Sequence, residues 1–243
     1  MSYQSILTDL DTDKIHFIKE NYPEQIEALI QFYPIISSAI KAGIPKDSVK
    51  FGGGTALAMY YFQHRLSFDI DLFLSDQQYL SFFSPKLWID DFDSFNDSEY
   101  TDKYNHIGVV TTTDIKLDIL VDTSLTNKYI DDSKLIFPFD VYVETIEDII
   151  SKKIVFRKKD NKTRDIFDIA VAISKNENLL SDLLSLKKIE LQDLIDLNEA
   201  LNKLNIDKYN SQIKIIEPIK EYEELSKNAA KILIKELKKI ISK

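Results

Sequence analysis

The chain has 243 residues, 44% of them hydrophobic, enough to bury a substantial core in one large domain or two small ones. With 14 Phe and 12 Tyr it is not composed like a disordered chain, and a formal net charge of -9 argues against a general nucleic-acid coat protein. The absence of cysteine excludes disulfides, thiolate zinc sites and a cysteine nucleophile, and it suits a reducing cytoplasm.

The segment from Met1 to Asp9 lacks a basic region followed by an apolar stretch, so no signal peptide is expected. No apolar run is long enough to span a bilayer, so a cytoplasmic protein without a membrane partner is expected. Residues about 13 to 43 read as helical. Pro23-Glu24 opens the second piece, because proline is tolerated in the first turn, and Ile26, Leu29, Ile30, Tyr33 and Ile36 then recur at helical spacing. Val49 to Phe51 reads as a short strand running into Gly52-Gly53-Gly54, and Thr55 to Phe62 as a short helix. Leu66 to Leu74 reads as a strand whose apolar residues sit on both parities, hence central in a sheet. Residues 75 to 105 are loop-like and acidic. Ile107 to Thr112 and Ile115 to Val121 read as a hairpin around Thr113-Asp114, and Val141 to Val143 as a last short strand.

After Thr145 the pattern is helical throughout. Thr145 with Asp148 makes an acidic capping box for a helix ending near Arg157. Thr163 starts another, with Ile166, Ile169, Ala170 and Ile173 on one face, and residues 187 to 205 and 217 to 241 supply further amphipathic helices. The fold class expected is α+β: a small mixed-sheet α/β domain with N-terminal helices over residues 1–144, then a helical C-terminal domain over residues 145–243, with a cleft between them.

The strongest chemical signal joins Phe51-Gly-Gly-Gly-Thr-Ala-Leu to Phe68-Asp-Ile-Asp-Leu. Strand residues two apart point the same way, so Asp69 and Asp71 present both carboxylates to one place. Two like charges side by side are unfavourable unless a cation bridges them, and Mg²⁺ prefers oxygen ligands and often binds one or two carboxylates plus substrate phosphates. The glycines allow a ligand close to the backbone, and a helix start favours an anion. Either half alone would ordinarily be a tight turn or a solvated Asp pair; together they outweigh that reading. Asp118, in Ile115-Lys-Leu-Asp-Ile, is awkward to bury without a partner, and a third metal carboxylate would supply one. Its plain alternative is a solvent-facing Asp on an edge strand, with Lys116 and Asp122 on the same parity.

A basic run follows: Lys152, Lys153, Arg157, Lys158, Lys159, Lys162 and Arg164 against Asp160 alone. For Lys158, Lys159 and Lys162 a solvated corner is the better reading. Arg164-Asp-Ile-Phe-Asp instead sets an arginine and two acids within an apolar helix, where they need partners.

Gly53-Gly-Thr-Ala-Leu, His64-Arg-Leu-Ser-Phe-Asp-Ile-Asp-Leu-Phe, Lys116-Leu-Asp-Ile, and Lys153 with Arg164-Asp-Ile-Phe-Asp-Ile together resemble the AbiEii/AbiGii toxin family of nucleotidyltransferases, within the DNA polymerase beta-like superfamily. The resemblance covers about residues 45 to 175. It implies that Gly53 and Gly54, with Thr55, Arg65 and Ser67 in the same motifs, bind the nucleotide, and that Asp69, Asp71 and Asp118 bind Mg²⁺ or Mn²⁺. It implies that Lys153, Arg164, Asp165 and Asp168 are nucleotide contacts or active-site supports, with Lys153 and Asp165 counted among the catalytic group. Gly52 is an extra glycine that leaves the loop register open by one residue.

The expected reaction moves a nucleoside monophosphate from a nucleoside triphosphate to an acceptor hydroxyl, releasing pyrophosphate. The resemblance implies the toxin of a bacterial toxin–antitoxin or abortive-infection pair, with a cognate antitoxin as a further partner. The basic corner suits RNA as acceptor, and the resemblance implies a transfer RNA end, whereas the acidic stretch at 90 to 102 would suit a cationic small molecule such as an aminoglycoside. A non-catalytic nucleotide-binding or interaction module is the alternative from another class; intact Asp69, Asp71 and Asp118 argue against it.

Overall fold

The structure is a computed structural model that describes residues 3–123 and 129–242. It falls into two compact units, residues 1–61 with 67–145, and residues 62–66 with 146–243.

The first unit is built on a mixed sheet. Its strands are β1 (Gln4–Ser5), β2 (Val49–Gly52), β3 (Ile70–Leu74), β4 (Thr101–Lys103), β5 (His106–Val110), β6 (Lys116–Val121), β7 (Tyr129–Asp131) and β8 (Val141–Val143). They lie in the order β1-β7-β8-β2-β3-β6-β5-β4. The pairs β1/β7, β2/β8 and β3/β6 are parallel, and the other neighbours are antiparallel. β3 is therefore central, as its apolar residues on both parities require.

Helix α1 (Thr12–Asn21) gives way at Tyr22 to α2 (Pro23–Lys41), which Pro23 opens with a φ already suited to a first turn. Leu29, Tyr33 and Ile36 of α2 share a lining with Val49, Phe51 and Leu72, so the helix covers that face of β2 and β3. Alternation then turns Gly52 and Asp71 to the opposite face. Burial of Leu29, Phe32 and Ile36 is worth roughly 1.5–3 kcal/mol each.

Two stretches differ from the sequence reading. The strand expected from Leu66 begins at Ile70, because residues 67 to 69 are held by Thr55 rather than by a neighbouring strand. Residues 75 to 105 are not a plain loop: they form short 3-10 turns and β4. Aromatic packing fixes them, with Phe32, Phe83, Trp88 and Phe95 in one cluster and Trp88 5.3 Å from Phe95 between ring centroids.

The second unit is helical: α4 (Ile146–Arg157), α5 (Thr163–Lys175), α6 (Leu179–Ser185), α7 (Leu191–Asn202), α8 (Ile206–Ile216) and α9 (Glu223–Ile241). α5 is its centre, packing on α4, α6, α8 and α9. Its residues Ile166 to Ile173 are all buried. The sequence reading had no separate α8. Asn205 starts that helix by accepting a hydrogen bond from the Lys208 amide at 2.9 Å, and Glu217 ends it in the left-handed region at φ 53°. Among the described residues, no helix is long and apolar enough to cross a membrane.

Candidate active site

β2 runs into a helical turn, α3 (Gly53–Ala56), which continues as a π-helical segment over Leu57–Phe62. Gly53 has φ 68°, a conformation that strains any residue with a Cβ. Space excludes a side chain as well: a Cβ on Gly53 would lie 1.9 Å from Asp71 Oδ2, and one on Gly52 would lie 1.9 Å from Glu144 Oε2. The loop backbone thus rests on two carboxylates. Glu144 is fully buried and explains the extra glycine, Gly52, which sits opposite Asp71 in the β2/β3 register. Thr55 is buried; its Oγ1 lies 2.9 Å from Ser67 Oγ and it hydrogen-bonds the Asp69 carbonyl. Those contacts tie the glycine turn to the segment that delivers Asp69.

Asp71 and Asp118 are direct register partners on the parallel strands β3 and β6, so their side chains leave one face side by side. Asp69 lies just before β3 on the parity of Asp71, and both are half-buried. β6 is not an edge strand, since β3 and β5 flank it. Asp118 is only 9% exposed and has protein partners. Its Oδ1 lies 2.7 Å from His106 Nε2 and its Oδ2 accepts from Lys116 Nζ at 2.6 Å. A carboxylate only accepts, so Nε2 carries the shared proton. Gly108, opposite Asp118 on β5, leaves room for this pair, because a Cβ there would stand 2.9 Å from Asp118 Oδ1.

Sequence reasoning expected a metal to supply Asp118's partner and did not include His106 or Lys116 in the site. The parity of Lys116 was a signal; His106 becomes visible only once the β5/β6 register is known. Among the described residues, no three His, Asp or Glu side chains gather at metal-binding spacing. The donor chemistry still suits a hard divalent ion. Two neighbouring strands offer carboxylate oxygens on one face, beside a backbone stripped of side chains, which is the protein's usual share of a Mg²⁺ site completed by substrate phosphates.

The second unit gathers another group of the expected residues. Lys153 Nζ donates to Asp165 Oδ1 at 2.7 Å and lies 2.9 Å from Asp168 Oδ2. Arg65 donates to Asp168 through Nε and Nη2, at 2.7 and 2.8 Å, and His64 Nε2 stands 2.7 Å from Asp168 Oδ1. Arg157 reaches Asp165 from the edge at 3.3 Å. Burial would push the Asp168 carboxyl up, but the charges of Arg65 and Lys153 hold it well below the usual carboxylate range. Asp165 is likewise pushed up by burial and brought below its ordinary value chiefly by Lys153. Burial lowers the pKa of His64, so its ring is a neutral donor to Asp168. Two buried acids thus face two buried cations.

Arg164, one residue before Asp165, is exposed. Within the basic run, Lys158 pairs with Asp193, and Lys159 lies 3.2 Å from Asp196, both acids of α7. Lys162 and Arg164 line a depression of about 310 Å³ with Thr163, Gln212, Ile215 and Ile216.

The family model described as nucleotidyl transferase AbiEii toxin, type IV toxin–antitoxin system, matches residues 38–230. No curated protein gives a significant match. Among solved structures, JHP933 from Helicobacter pylori aligns at 17% identity over 90% of this chain and 93% of its own, with a TM-score of 0.47. MenT4, a nucleotidyltransferase toxin from Mycobacterium tuberculosis, aligns at 13% identity over 91% of this chain and 98% of its own, with a TM-score of 0.45.

Proposed function

The chain belongs to the AbiEii family of nucleotidyltransferase toxins, and from that premise we propose that it is a metal-dependent enzyme carrying its nucleotide on Gly53 and Gly54 and its Mg²⁺ or Mn²⁺ on Asp69, Asp71 and Asp118. The observation that carries this reading is the placement of Asp71 beside Asp118 and against the bare Cα of Gly53. An acceptor hydroxyl attacks the α-phosphorus of the triphosphate, the bond to the bridging oxygen of the β-phosphate breaks, and pyrophosphate leaves. The hydroxyl proton passes to a carboxylate of the group. A bound divalent ion would lower the pKa of the hydroxyl and offset phosphate charge.

Thr55 and Ser67 act by holding the turn against Asp69. Arg65, Lys153, Asp165 and Asp168 serve as a buried ionic support for helix α5, and Arg164, exposed at the start of that helix, meets phosphate. The acceptor is RNA, a transfer RNA end being the first candidate. Lys162 and Arg164 beside an open depression support it, since phosphate contacts can position a strand without reading its sequence. As a toxin of such a system, the protein would work against a cognate antitoxin.

The test is incubation with each labelled triphosphate, Mg²⁺ and total RNA, followed by gel separation. Label on RNA with one or more nucleotides is expected. Absence of transfer with all four would overturn the reading. Label found only on a small molecule or a protein would overturn the RNA acceptor while leaving transfer intact.

A further inference from the structure

Asp118, an acid of the proposed metal group, is bonded at both carboxylate oxygens, to His106 at Oδ1 and to Lys116 at Oδ2. These two donors differ in kind. His106 reaches Oδ1 from the neighbouring strand, and Gly108 keeps space for it, so its ring orients the carboxylate. Lys116 brings a full positive charge to the oxygen that a cation would otherwise take, from a side chain that is 50% exposed and therefore free to leave. It sits two residues before Asp118 on the same strand face, so its long stem folds back along β6 rather than crossing the sheet.

We propose that Lys116 is a built-in competitor for the divalent ion: its ammonium occupies Asp118 in the free protein and gives way when a metal–triphosphate complex arrives. The proposal rests on the metal reading above. Its physical basis is charge. Asp71 and Asp118 are register partners on neighbouring strands, so without Lys116 two like charges would lie side by side and favour a free divalent ion in the absence of substrate. With Lys116 in place one of these is cancelled, and free metal binds weakly. A triphosphate brings its own negative charge, which both strengthens the hold on the metal and gives the displaced ammonium an anionic partner. Metal loading is thereby coupled to nucleotide arrival, and Lys116 acts as a positioning residue at Asp118.

The test uses the full chain and Mn²⁺, with the free aquo ion counted by electron paramagnetic resonance. Lys116→Met should bind Mn²⁺ about tenfold more tightly than the natural protein in the absence of nucleotide. Lys116→Arg, which keeps the cation, should stay weak. Adding a non-hydrolysable triphosphate should narrow the difference, because the competition is then already relieved. Equal or weaker Mn²⁺ affinity in Lys116→Met would overturn the proposal. Asp71→Asn separates this failure from that of the underlying reading. If Asp71→Asn leaves Mn²⁺ binding of the natural protein unaltered with triphosphate present, the metal assignment falls and the proposal with it. If Asp71→Asn abolishes binding while Lys116→Met changes nothing, only the role of Lys116 falls. Thermal melting checks that the variants are folded, which the exposure of Lys116 favours.

Discussion

Arg65 grips Asp168 with two hydrogen bonds, 2.7 Å from Nε and 2.8 Å from Nη2, across a sequence separation of 103 residues. Both side chains are buried, and Lys153 completes the neutralisation of Asp168 from α4. Removing one member of a buried ionic group strands the others without solvent, at a cost of about 3–5 kcal/mol. Asp168→Asn and Lys153→Ala are therefore predicted to lower the melting temperature by on the order of 10 °C. Lys159→Ala, at a side chain 73% exposed, should leave melting nearly unchanged. Comparable melting for Lys153→Ala and Lys159→Ala would refute the support role.

The same group sets a pH dependence. His64 is lowered below its ordinary value by burial and stays neutral in the fold, whereas the unfolded chain binds a proton there as pH falls below about 6.5. In that window the unfolded state holds more protons, so stability declines on acidification, by at most about 1.4 kcal/mol per pH unit for one group. Asp168 adds a second loss. Its carboxyl is held well below the usual range in the fold, so its contribution is complete above about 3.9 and disappears as pH drops from there through the folded value. Urea midpoints measured from pH 8 to pH 4 should fall steadily below neutrality, and replacing His64 with Gln should flatten the upper part of the fall. A midpoint that rises between pH 7 and pH 5 would contradict the assignment.

Much of the first unit was legible because its signals are local. Pro23 marks the start of α2, the glycines run into α3, and strand alternation puts Asp71 on the face that Asp118 shares. The parts that were not legible depend on long-range partners. The sequence sets Arg164 four residues before Asp168, the spacing of a helical ion pair. The buried face of α5 carries Asp165 and Asp168 while Arg164 is exposed, and Arg65 from a distant segment donates to Asp168. Glu144 could not be read as the reason for Gly52, because the contact arises from the parallel β2/β8 pairing, in which Glu144 donates its amide to the Phe51 carbonyl. The basic run read as open charge because the acids that meet Lys158 and Lys159 lie on α7.

The two glycines of the turn should separate stability from chemistry. Gly53→Ala meets both a left-handed backbone and the Asp71 carboxylate, so it should destabilise by more than about 1 kcal/mol and also lower triphosphate affinity by displacing Asp71. Gly52→Ala meets Glu144, a buried group, and should destabilise with a smaller effect on nucleotide affinity in the fraction that remains folded. Denaturant titration paired with calorimetry checks both. Unchanged triphosphate affinity in folded Gly53→Ala would favour a plain turn.

Asp71→Asn keeps the size of the side chain and removes its charge next to Asp118. Loss of a metal-binding carboxylate forfeits several kcal/mol of charge stabilisation in the transition state, so transfer should fall by at least about 100-fold. Relief of repulsion between the two acids should hold or raise the melting temperature at the same time. Near-normal transfer by Asp71→Asn at limiting Mg²⁺ would remove Asp71 from the chemistry.

The acceptor is the reading furthest from the geometry, and salt provides its test. With a net charge of -9, long-range attraction of a polyanion is opposed, so RNA must be held by short-range contacts from a few cations. Lys158 and Lys159 lie against Asp193 and Asp196 of α7, and Lys162 and Arg164 edge a depression at the start of α5. Each phosphate contact to a single strand contributes a slope of about 0.7 to the fall of log affinity with log salt. Arg164→Ala should therefore weaken binding to unrelated RNA sequences alike and reduce the slope by about 0.7, while Lys159→Ala changes it less. Filter binding over a range of salt, with an RNA that accepts label, reads both quantities. A slope near zero in the natural protein would exclude RNA as the acceptor, and equal changes from Arg164→Ala and Lys159→Ala would mean that the strand meets the whole corner rather than the start of α5.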